Sequence, residues 1–191
     1  MSKTKTTTKE FAEGLLYVLP KYTNSFYEEF GAYAWAKLGI KPDDEQVVTL
    51  KREIYMINMW IISKALSPDK KVLDELHKIY LLPHVNQDQI NQWLKNKENE
   101  NLKNVLKHDE RELNERYAKY YSEWDGSGNL ILAMTMLEYM FNKGQSDKRF
   151  VNADLSVRVN SHVMRMMLTI LDSRKDHDIV DEEADEVVSG N

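Results

Sequence analysis

The chain has 191 residues, 42% of them hydrophobic and 30% charged, with a formal net charge of −5, the size and balance of one globular domain with its own core. Having no cysteine, it cannot form disulfides, thiolate metal sites or a cysteine nucleophile, and its longest apolar-rich stretch, Ile54 to Ile62, is too short for a membrane span. The acidity is local: residues 175–191 hold one Lys against seven acids, which leaves 25 basic and 24 acidic side chains before them and no positive excess to follow a nucleic-acid backbone.

Residues 1–8 are rich in Lys and Thr, with no apolar segment of the export-signal type, and are expected to be disordered in a cytoplasmic protein. Phe11, Leu15, Val18 and Leu19 recur at helical spacing from Lys9 onward, and Pro20 is expected to stop that helix. Ser25 and Glu28 have the spacing of a capping box, opening a helix to Leu38 with Gly39 as its left-handed terminator. Asp43 or Asp44 then caps a helix to about Leu66, whose two apolar stripes leave little polar surface and mark it as central. Ser67 and Pro68 read as a cap and first-turn proline for a short helix ending before Pro83.

From Asn86 or Asp88 a segment carries Ile90, Trp93 and Leu94 on one side, followed by a polar run, residues 95–101, that fits either a loop or an exposed helical turn. Leu102, Leu106, Leu113, Tyr117, Tyr120 and Trp124 then define a long amphipathic helix, broken by Asp125-Gly-Ser-Gly-Asn129. Two apolar helices follow, about Leu130 to Lys143 and about Asp154 to Arg174. The expected architecture is an all-α bundle of about seven to eight helices: one domain over residues 9–174, then a disordered acidic tail over residues 175–191.

No motif names a chemistry. No His has a Glu three residues before it, as di-metal bundles require, and there is no His-Glu-x-x-His or phosphate-loop pattern, so neither metal nor cofactor is expected. Asp74 with His77 reads as a solvated ion pair. Eight of the nine methionines fall in three helices, where unbranched thioethers either plug a core or form a plastic binding surface. Candidate contact residues are Asn58, Met59 and Trp60 on the central helix, Glu138 on the next apolar one, and Arg158, His162 and Arg165 on the last. Glu138 shares a narrow polar stripe with Thr135 and Asn142. Arg158, His162 and Arg165 share a face that is either simply exposed or a cradle for an anion. The leading expectation is a non-catalytic protein that presents a Met- and aromatic-rich surface to a protein partner or to a second copy, with no nucleic acid or membrane involved. The alternative is a binder of a small, hydrophobic molecule, or an enzyme, with an interior cavity and Glu138 or His162 as polar anchor.

Overall fold

A computed structural model describes residues 3–80, 99–126, 130–142 and 152–181. In chain order these form β1 (Thr4–Thr7), α1 (Thr8–Leu38), α2 (Asp44–Ala65), α3 (Lys70–Tyr80), α4 (Asn99–Glu123), α5 (Leu130–Asn142), α6 (Ala153–Asp176) and β2 (His177–Val180). The fold is mostly helical, as expected, with six helices among the described residues where seven to eight were anticipated. The segment expected around Ile90 and Trp93, and most of the polar run before Leu102, lie outside the described residues. No helix among the described residues is long and apolar enough to cross a membrane.

Helix α1 departs most from the sequence reading. It runs without interruption through Pro20, and Ser25 and Glu28 lie in its interior. The capping box sits instead at its start: Thr7 Oγ1 accepts from Glu10 N (3.1 Å) and Glu10 Oε2 accepts from Thr7 N (2.9 Å). An interior proline costs a helix about 3 kcal/mol, because it offers no N–H and crowds the carbonyl four residues back. Leu19, Phe26 and Phe30 are buried around it, and full burial of one such side chain contributes about 1.5–3 kcal/mol. Packing on both sides of Pro20 therefore outweighs the local defect. Pro20 itself is exposed.

The other helix ends follow their local chemistry. Gly39 closes α1 at φ +66°, and Asp43 with Gln46 forms the capping box of α2. Ser67 and Pro68 lie in a turn rather than capping α3, whose first backbone bond runs from Leu73 N to Asp69 O. Asn152 caps α6 by accepting from Leu155 N at 3.1 Å. Helix α2 is central, touching α1, α4, α5 and α6 and burying Leu50, Ile54, Ile57, Met59, Trp60 and Ile61 completely.

The two ends of the described body pair with one another. β1 and β2 form a parallel two-stranded ribbon, Thr4 opposite His177 through Thr7 opposite Val180. This differs from the disorder expected at residues 3–8 and 175–180, since α6 continues to Asp176 and the chain is then extended to Val180; the rest of the expected acidic tail, residues 182–191, lies outside the described residues. Side chains supply what the short ladder lacks. Thr6 Oγ1 lies 2.7 Å from His177 Nδ1, the His177 ring tilts against Phe11 at 5.2 Å, and Ile179 packs on the core. Arg174 joins Asp69 at 3.0 Å, holding the end of α6 to the turn before α3.

Candidate functional site

Helices α1 and α6 are separated by a groove made of three adjoining clefts. The first, about 330 Å³, lies under the ribbon between Phe11, Leu15 and Val18 of α1 and Ile170, Ser173 and His177 on the other side. The second, about 240 Å³, is lined by Tyr22, Ser25, Phe26, His162, Arg165 and Met166. The third, about 300 Å³, adds Phe30, Val157, Arg158 and Ser161. Tyr22 and Thr169 belong to both of the first two clefts, while Phe26, Glu29 and Arg165 belong to both of the last two. The three are therefore one continuous depression. On α1 it follows residues 10, 14, 18, 22, 25 and 29, the three-to-four-residue spacing of one helical face. At about 1.5 Å per residue that face is roughly 30 Å long.

A buried polar chain lies behind the middle of the groove. Asn58 of α2, fully buried, donates from Nδ2 to Thr23 Oγ1 (3.1 Å), which turns its Oδ1 toward His162 Nε2 at 2.7 Å. An amide oxygen accepts only, so Nε2 carries the ring proton and Nδ1 is the acceptor nitrogen. Nothing among the described residues donates to Nδ1, and it is not sealed from the groove. The ring stacks on Phe26, with centroids 3.8 Å apart and planes 10° from parallel. Burial, helped by the Arg165 charge, pulls its pKa down to about 3, so the imidazole is neutral at physiological pH.

The rim carries both signs of charge. Arg165 bridges to Glu29 across the groove at 3.2 Å. Arg158 lies over the Tyr33 ring at 3.9 Å and 3.7 Å from Asp154, while the Tyr33 hydroxyl donates to Asp154. Both arginine side chains are largely exposed, so their ion pairs contribute little to stability and their donors remain open to exchange with a ligand.

Of the residues singled out by sequence, Arg158, His162 and Arg165 share the groove, and Asn58 supports His162 from behind. His162 is a correction to the reading of that face as simply exposed: only 5% of it is accessible. Met59 and Trp60 are core residues with no accessible surface, the indole meeting Tyr120, Tyr121 and Trp124 edge-on at 5.8–5.9 Å. Glu138 is half-buried on α5 and lines none of the three clefts, and Thr135, expected beside it on a solvent stripe, is buried. The methionines mostly fill the interior: Met56, Met59, Met136, Met140 and Met166 are buried, and Met166 alone lines the groove.

Two polar clusters escaped the sequence reading. Glu53 of α2 is buried and 2.9 Å from Arg116 of α4, whose guanidinium lies over Tyr139 at 3.6 Å. Burial pushes the Glu53 carboxyl above the usual carboxylate range against the pull of Arg116. The signal was present, since Glu53 is an acid within the stripe Leu50, Ile54, Ile57. His77, read as half of a solvated pair with Asp74, is instead half-buried, with Nε2 3.1 Å from Ser63 Oγ. Ser63 donates in turn to Tyr117 at 3.3 Å and is itself buried, which keeps this serine–histidine pair from any large substrate. Among the described residues no three His, Asp or Glu side chains stand around one point where a metal ion fits. Compared with known protein families, characterised proteins and solved structures, the chain shows no match.

Proposed function

We propose that this is a helical binding protein that receives an amphipathic helical segment of another protein in the groove between α1 and α6. The observation that carries the reading is the continuity of the three clefts through shared lining residues. A channel of about 30 Å suits a helix of about 20 residues, whose apolar stripe would lie over Val18, Tyr22 and Val157, the apolar lining residues that are not buried. Glu10, Glu29, Arg158 and Arg165 on the rim would fix its direction through charge. The aromatic residues along the groove support the aromatic part of the expected Met- and aromatic-rich surface, whereas five of the methionines are buried.

The test is site-directed photo-crosslinking in the native host. A benzophenone side chain at Gly14, where an added Cβ meets no atom within 4 Å, and another at Ser25, exposed in the groove, should both capture the same protein. One at Val48, exposed on α2, should not. Gly14→Trp should block capture from Ser25. Capture independent of groove position, or of Gly14→Trp, would remove the groove from consideration.

One observation favours a second reading. The neutral His162 with an open Nδ1 acceptor, flanked by Ser25, Arg165 and Thr169, would suit a small molecule that combines a hydrogen-bond donor with an anionic group. Native mass spectrometry of protein purified from its own host separates the two: a stoichiometric small-molecule adduct lost in His162→Phe supports this reading.

A further inference from the structure

The solvent side of α6 has a composition that an isolated surface helix does not need. Val157, Leu168 and Leu171 are 53%, 57% and 36% exposed, and half-buried Met164 lies between them. With Ser161 they follow the spacing four, three, four and three, a single ridge along α6. Helices that leave such a ridge in water commonly have a partner for it.

We infer that the partner is a second copy of this chain, with the two α6 helices packed antiparallel about a two-fold axis near Met164 and Arg165. The charges beside the ridge select this arrangement. Arg158 lies seven residues before Arg165 and Asp172 seven after it, on the same flank. Antiparallel pairing brings Arg158 of each copy to Asp172 of the other, and Asp154 toward Lys175. Parallel pairing would lay this charged flank against the opposite one, which carries Asn160 and Met167, and would leave Arg158 and Asp172 without each other. Arg165 meets its own counterpart at the axis, where Glu29 of the same chain, 3.2 Å away, offsets the repulsion. The apolar sequence is similarly matched, Val157 of one copy falling near Leu171 of the other. Such an interface is isologous and closes on itself. The ridge from Val157 to Leu171 is only about 21 Å long, which is less area than stable complexes bury, so the dimer belongs to the weak, micromolar class.

The inference does not rest on the groove as a binding site, although Val157, Arg158, Ser161 and Arg165 are shared with its rim. It is tested by sedimentation equilibrium of the full chain between about 1 µM and about 1 mM. A monomer–dimer equilibrium is expected, weakened by about tenfold or more by Leu168→Asp, whose exposed site leaves the fold unchanged by circular dichroism. Arg158→Asp and Asp172→Arg should each weaken it, and the double charge reversal should restore it toward the original value. A chain that stays monomeric across the range would overturn the inference. So would a dimer indifferent to Leu168→Asp, or charge reversals that do not rescue one another.

Discussion

At the scale of single residues, His162 is where burial and ionisation meet most directly. Its folded pKa, about 3, lies below the value of about 6.5 for an unfolded histidine, so the unfolded chain takes up the proton first. The stabilising effect of the neutral ring is complete above about pH 6.5, fades as pH falls through that value, and is gone below the folded pKa. The slope is about 1.4 kcal/mol per pH unit, or about 2 kcal/mol between neutrality and pH 5. Urea unfolding should show this loss in the wild type and not in His162→Gln, which cannot ionise and can still donate to Asn58. His77 is shifted downward as well, by burial opposed by Asp74, and contributes to the slope of both proteins equally. Identical pH dependence in the two would rule out a protonation change at His162 as the source. Sequence spacing put Arg158, His162 and Arg165 on one face of the helix, and all three line the groove. A helical repeat nevertheless carries no information about which edge of a face a neighbouring helix covers, and α1 covers the edge that holds His162.

Among the elements, α2 and α5 were legible because their patterns admit one answer. Two apolar stripes on α2 require neighbours on several sides, and they have them. Gly39 and Asp43 terminated and opened helices as their chemistry dictates. Helix α1 was not legible, since proline's local preference and the burial of Leu19 and Phe26 act at different ranges and only the first can be read along the chain. The defect at Pro20 is nevertheless real, because the Leu16 carbonyl has no N–H to accept from at that position. Pro20→Ala should therefore raise the stability of the whole chain by about 1–3 kcal/mol. Thermal unfolding would reveal it as a higher midpoint; a lower one would mean that the proline-adapted backbone is needed to seat Leu19 and Thr23. The Glu53–Arg116 pair was missed for a similar reason, its partner being 63 residues distant on α4.

For the whole molecule, the ribbon was beyond the reach of the sequence altogether. Four residues of Thr and Lys and four of His-Asp-Ile-Val carry no strand period long enough to register, and their partnership spans nearly the entire chain. Truncation after Arg174 removes His177 from Phe11 and Ile179 from the core, and should lower stability by about 2 kcal/mol, or roughly 4–8 °C in midpoint. An unchanged midpoint would mean that the body is complete without its ribbon. The parallel direction of the pairing has a mechanical consequence. Tension applied between Thr4 and Val180 draws the two strands along their own axes in opposite senses, so the ladder is loaded in shear and its bonds resist together. A hairpin pulled from its open end would instead release them one at a time. Stretched from these two points in a single-molecule experiment, the protein is held first by its smallest element, and the helices feel the force only after eight extended residues have let go.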